Sequence, residues 1–188
     1  ITNCFMGISS QPSLGGPSYF IRNVMYNVIH HAFKLHRGSV GDIGLHNTII
    51  KNGDAFSVYS GVTHSRGYFR NNLFIGSGPE RYAFCNEAKA TDCDYDYDGF
   101  AGGPWGNFLK WNKEKYPNIE AVRAKAPVEK HAVVVDGATV FQSGVVPPAD
   151  EKVLVLGCHD LNMFSARARA NQSPNGVRRR RCDAMAKA

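Results

Sequence analysis

The sequence predicts an all-β protein built as a right-handed parallel β-helix, a solenoid of about four coils in which the chain returns on itself every ~23 residues. Three observations predict it. An asparagine recurs at one register, an Ala-Phe element recurs with the same period, and Gly-rich breaks fall between them.

The asparagine element is carried by Ile1-Thr2-Asn3-Cys4-Phe5, Ile21-Arg22-Asn23-Val24-Met25, Leu45-His46-Asn47-Thr48-Ile49 and Phe69-Arg70-Asn71-Asn72-Leu73. These place asparagines at 3, 23, 47 and 71, spaced by 20, 24 and 24. Asp92-Cys93-Asp94-Tyr95-Asp96 is a degenerate fifth copy, with Asp94 a further 23 along. The alternation within each segment is that of a strand with one buried face. It predicts one interior column of Ile1, Ile21, Leu45 and Phe69 and another of Phe5, Met25, Ile49 and Leu73. An inward asparagine needs partners, and asparagines stacked coil on coil supply them to one another. The second element is Ala32-Phe33, Ala55-Phe56 and Ala83-Phe84, and the breaks are Gly38-Ser39, Gly53-Asp54, Gly61 and Gly76-Ser77-Gly78-Pro79. A β-sandwich also alternates strands and turns, but it does not repeat an asparagine at fixed register.

The periodic pattern covers residues 1–99. Residues 100–164 follow as an aromatic loop with Trp105, Phe108, Trp111 and Tyr116, a short helix and capping strands. The aromatics either plug the last coil or stack on sugar rings. Asn118 after Pro117 caps a helix through Ile119–Ala124. Short strands are expected at 133–135, 140–141 and 153–156. Residues 165–188 form a basic, disordered tail: they hold seven of the 22 basic residues against one of the 16 acidic ones, so residues 1–164 are neutral, with 15 of each. Such a tail argues against a specific nucleic-acid function, because only salt-sensitive phosphate attraction would follow from it. No run of 18 apolar residues suggests a membrane span. Five cysteines without C-x-x-C spacing make neither a disulfide scaffold nor a zinc site, although a single Cys85–Cys93 bridge is within the spacing.

The hydrophobic-x-Asn-hydrophobic ladder and the Ala-Phe strand resemble the right-handed β-helix proteins typified by pectate lyases, over roughly half of the chain. The resemblance implies a carbohydrate-active protein that binds or cleaves an acidic polysaccharide, as a lyase or glycoside hydrolase, and an extracytoplasmic or secreted location. Its relatives carry more coils, and this chain starts inside one. A fragment, or a homo-oligomer formed through the open coil end, is therefore the expectation on that point. The alternative function is a non-catalytic structural or binding solenoid.

Outward residues at equivalent positions of successive coils lie about 4.8 Å apart, which turns the alignment into site expectations. Arg22, His46 and Arg70, with Thr2, would form a cationic column suited to a carboxylate-bearing polysaccharide, and Trp105 and Trp111 would add stacking surfaces. On the second face the columns Lys34, Ser57, Cys85 and His36, Tyr59, Glu87 supply candidate catalytic residues: Lys34, His36 and Tyr59 as proton-transfer groups and Glu87 as their acidic neighbour. His30, His31, His64 and His131 show no such alignment. Asp94-x-Asp96-x-Asp98-Gly99 matches the opening of a calcium loop. The position where a bidentate Glu should close that loop is Trp105, so the full EF-hand pattern fails. A partial calcium site on Asp94, Asp96 and Asp98 is one reading of the run, and a last rung with Asp94 in place of Asn is the other.

Overall fold

The computed structural model describes residues 1–10, 17–35, 38–51, 53–58 and 63–136. Over these residues the chain is a parallel β-solenoid of roughly four turns. Strand β1 (Thr2–Ser10) is a partial first coil, followed by β2 (Ser18–Ile21) and β3 (Val24–Leu35) in the second. The third coil holds β4 (Asp42–Leu45), β5 (Thr48–Ile50) and β6 (Phe56–Val58), and the fourth β7 (Thr63–Ser65), β8 (Tyr68–Arg70) and β9 (Leu73–Asn86). The last coil comprises β10 (Lys89–Thr91), β11 (Asp94–Asp96) and β12 (Gly99–Trp111). A cap of β13 (Glu114–Tyr116), α1 (Ile119–Lys125) and β14 (Val133–Val134) closes it. The large sheet runs β1-β3-β5-β9-β12-β13, with β6 between β3 and β9, while β2-β4-β8-β11 and β7-β10 form the other faces. Coil-to-coil pairing is parallel, as it must be when each strand lies one full turn from its neighbour.

The asparagine ladder is present, but its later rungs are displaced from the expected ones, by one residue at the third and by four at the last. Asn23 Nδ2 donates to Asn47 Oδ1 (2.9 Å), Asn47 Nδ2 to Asn72 Oδ1 (2.8 Å) and Asn72 Nδ2 to Asp98 Oδ1 (3.0 Å), at separations of 24, 25 and 26 residues. The third rung is thus Asn72, not Asn71, and the last is Asp98, not Asp94. Asn3 stands outside the ladder and accepts from Asn27 Nδ2 instead. The residue before each rung is left-handed: Arg22, His46 and Asn71 at φ 56° and Tyr97 at φ 62°. That conformation turns the chain sharply from one face to the next and costs roughly 1–2 kcal/mol for a residue with a Cβ. The rung offsets it, because the backbone N–H of Asn23, Asn47 and Asn72 each donates to the side-chain oxygen of the next rung.

The register slip also corrects the interior columns. Ile43, Gly44 and Leu45 pair with Tyr68, Phe69 and Arg70. Phe69 therefore lies over Gly44, and a Cβ on Gly44 would sit 2.3 Å from the Phe69 ring. The inward column is Phe20, Gly44, Phe69, Tyr95, whereas Ile21 is 46% exposed and points outward with Leu45. In the next column Met25 and Ile49 are interior as expected and continue into Phe74 and Phe100; Leu73 pairs with Thr48, and Phe5 is 62% exposed against His30. The Ala-Phe element lies in the expected register: Phe33, Phe56 and Phe84 are paired and buried, with stacked rings 5.4 and 4.6 Å apart.

Residues 99–111 are not a loop. They form β12, which pairs with β9 from Gly99 to Lys110 through shifts of register around Trp105, so the coils continue past residue 99. Phe108, Trp111 and Tyr116 are buried and plug the last coil. Asn118 caps α1 by accepting from the Ala121 amide (2.8 Å), as the Pro-Asn signal predicts. The strand expected near 133 is β14, which pairs with Gly99 and Phe100. The strands expected at 140–141 and 153–156 and the basic tail lie outside the described residues. Cys4, Cys85 and Cys93 are not joined in disulfides. Among the described residues no helix is long and apolar enough to cross a membrane.

Candidate functional site

The outer face of the β2-β4-β8-β11 sheet carries a cluster of aromatic and charged side chains. Alternation along these strands sends Phe20, Phe69 and Tyr95 inward and leaves two outward columns, Tyr19, Ile43, Tyr68, Asp94 and Ile21, Leu45, Arg70, Asp96. The left-handed corner residues Arg22, His46, Asn71 and Tyr97 border them. Within this face the Arg70 guanidinium lies 5.1 Å from the ring centroids of both Tyr68 and Tyr97, and donates at 2.7 Å to both oxygens of Asp94. Tyr97 stacks in turn on His131, centroids 4.6 Å apart and planes within 7°. His131 comes from the cap and is fixed by Asp96, which accepts from its backbone N–H and contacts its Nδ1, both at 2.7 Å. Burial works to raise the Asp96 pKa, but the bonds from His131 and Tyr97 outweigh it and hold the carboxyl below its ordinary value. Tyr68, Arg70, Tyr97 and His131 thus form a contiguous row of cation–π and ring-stacking contacts, with Tyr19, Tyr68 and Tyr97 39–63% exposed along the face. Such a surface offers aromatic planes and a fixed cation together.

The sequence-derived candidates are distributed as follows. Arg22 and His46 share a column, since the Arg22 amide donates to Leu45 and the His46 amide to Arg70. Arg70 sits one position earlier and is engaged by Asp94, so the continuous cationic column is replaced by Arg22, His46, Asn71 and Tyr97. Trp111 is interior, packed on Phe84 and Tyr95, and presents no face to a sugar. Trp105 is half-buried, donates Nε1 to the Gly76 carbonyl and packs edge-on against Phe108. On the second face Lys34, Ser57 and Cys85 are in register as expected, continuing to Lys110. Glu87 pairs with Lys110 at 2.6 Å, an ion pair that holds the lysine charged. His36 and Tyr59 lie outside the described residues.

The acidic run does not converge. Asp94 faces Arg70, Asp96 faces His131, and Asp98 is the terminal ladder rung. Among the described residues no group of three His, Cys, Asp or Glu side chains could hold a metal ion. The residues do not fit a calcium loop, and no metal role is assigned to them.

Two buried polar groups lie beneath this face. His64 touches the Ser39 carbonyl through Nδ1 (3.2 Å) and the Tyr95 hydroxyl through Nε2. A carbonyl only accepts, so Nδ1 carries the hydrogen and Nε2 receives that of Tyr95. Burial lowers the His64 pKa to about 4. Gly67 makes room for this pair, since a Cβ there would lie 2.5 Å from His64 Nε2. The second group is Asp98 with Glu129, both fully buried.

Sequence reasoning missed Tyr68, Tyr97 and His131. Tyr97 carried a signal, because it precedes the last rung as Arg22 and His46 precede theirs. His131 carried none, since it meets Asp96 across 35 residues, from a cap that has no repeat to align. The chain matches no family model, no curated protein and no solved structure.

Proposed function

We propose that this chain binds an acidic polysaccharide along the outer face of the β2-β4-β8-β11 sheet, as the likeness to pectate-lyase-type β-helices suggests. The observation that carries the reading is the Tyr68–Arg70–Tyr97–His131 row. Exposed tyrosines stack on sugar rings, and Tyr19 and Tyr68 stand two strands apart, roughly 10 Å along the axis, so a single chain could lie on both. Arg22 and His46 at the border supply cationic character toward carboxylates. His131, clamped by Asp96 with its ring stacked outward on Tyr97, is the proton-transfer group best placed for lyase or hydrolase chemistry on this face.

The test is binding and turnover on uronate-containing and neutral polysaccharides, read by calorimetry, unsaturated-product absorbance and reducing ends. Tyr97→Ala and Arg70→Ala should each weaken binding about tenfold or more, a loss of ~1.4 kcal/mol. If turnover occurs, His131→Ala should abolish it while glycan still binds. Binding untouched by both face substitutions sinks the assignment.

A second reading, a structural solenoid that associates through its first coil, is supported by the outer edge of β1, which pairs with no other strand among the described residues, and by the exposed Ile1, Phe5 and Ile29 beside it.

A further inference from the structure

The ladder ends in a way its own chemistry does not explain. The two inner asparagine rungs use their amides fully: Asn47 Nδ2 gives one hydrogen to Asn72 Oδ1 and the other to the Phe20 carbonyl, and Asn72 Nδ2 gives one to Asp98 Oδ1 and the other to the Gly44 carbonyl. Asp98 receives from the Asn72 amide and side chain on Oδ1, but its Oδ2, where the rungs before it carry an N–H donor, has nothing to donate if ionised. That oxygen is buried and without a partner, and so are both carboxylate oxygens of Glu129. The two carboxyl groups lie within hydrogen-bonding reach of each other.

Glu129 is delivered there by the cap. It adopts a left-handed conformation (φ 57°), its N–H donates to the Tyr95 carbonyl (2.7 Å), and it stands two residues before His131. Two fully buried carboxylates in contact strongly disfavour double ionisation: the donors from Asn72 to Asp98 and from the Asp98 backbone to Glu129 offset only part of the cost of burial, and the like charges repel. Asp96, which also acts on both, is negative as well, its charge directed to His131. The Tyr95 hydroxyl is committed to His64, and Asp42 accepts from Ser10.

We propose that Asp98 and Glu129 share one proton across the junction between the last coil and its cap, and that this proton latches the 129–134 segment, with His131, onto the solenoid. A single O–H···O bond then completes the ladder as an amide would. Loss of the proton leaves two facing anions and opens the latch.

The direction of the pH effect follows. Burial raises both carboxyl groups above their unfolded values, Asp98 to about 7. A raised value means that the folded state holds the proton more tightly. The stabilisation is complete below the unfolded carboxyl range and is lost as pH rises through about 7, by up to about tenfold in the folding equilibrium per pH unit for one proton.

The experiment is thermal unfolding of the full chain from pH 4 to 8, with Glu129→Gln and Asp98→Asn, whose amides supply a permanent hydrogen. The stability of either variant relative to wild type should grow as pH rises from about 4 to about 7 and level off above that. Amide hydrogen exchange on the wild type alone gives a second reading. Protection over 129–134 should collapse above neutrality while that of the Phe33–Phe56–Phe84 strands persists. Variant curves parallel to wild type, or protection that is independent of pH, overturn the proposal. So does millimolar calcium raising the wild-type melting temperature but not that of Glu129→Gln, because a cation rather than a proton would then occupy the gap. Each readout is independent of glycan binding, so failure of the latch and failure of the proposed face are distinguishable.

Discussion

His64 shows how one buried side chain sets an acid limit on the fold. Its pKa falls to about 4 on burial, from an unfolded value near 6.5, so the folded state refuses a proton that the unfolded chain accepts. The resulting stabilisation is present above the unfolded value and is lost as pH drops from ~6.5 toward 4, opposite in sign to the carboxyl pair above it. His64→Gln should therefore show a shallower decline in melting temperature between pH 6.5 and 4.5 than wild type; equal slopes would show that His64 is not the group responsible. At the same scale lies the main error of sequence alignment. Asn71-Asn72 offers two candidate rungs, and choosing the first puts Phe69 under Ile21 and Leu45, when its ring needs the space that Gly44 leaves. Nothing in residue type alone separates the two asparagines; the left-handed turn at residue 71 does.

Elements were legible where local chemistry and tertiary demand agreed. The Pro117-Asn118 start of α1 is an example: Asn118→Ala removes the acceptor for the Ala121 amide and should cost about 1 kcal/mol in urea denaturation, with Asn118→Ser retaining most of it. The Ala-Phe strands are another, and Phe56 is the critical ring, fully buried between Phe33 and Phe84. Phe56→Ala should cost ~3–5 kcal/mol, whereas Phe56→Leu, which keeps most of the volume, should cost far less. Residues 100–111 read as a loop in sequence because Gly102-Gly103-Pro104 signals a break in any local reading. The strand survives it because β9 accommodates the offset with shifts of register beside Trp105.

For the whole molecule, a period near two dozen residues was sufficient to predict the stacked parallel topology, because nothing else returns an asparagine to the same corner in successive turns. The candidate site was less legible. Its columns depend on register to the residue, and one slip turns Arg70 from a free cation into the partner of Asp94. Its remaining member, His131, arrives through the cap, which has no repeat to read. Among the described residues the two ends of the stack differ: β13, β14 and α1 cover the last coil, while no strand pairs with the outer edge of β1. If that edge associates with a second copy, sedimentation should show a concentration-dependent dimer that Phe5→Lys disperses. A monomer at all concentrations would count against the structural-solenoid reading.

The relay of side-chain amides has a polarity that constrains how such a molecule could be lengthened. Every link from Asn23 onward passes its hydrogen the same way along the axis, so only the terminal acceptor can dispense with nitrogen. Aspartate is accommodated at 98 for that reason and would interrupt the relay at 47 or 72. An extra turn spliced in after residue 98 would require Asn in place of Asp98, whereas one spliced in ahead of Asn23 would have to arrive with a donor already pointing forward.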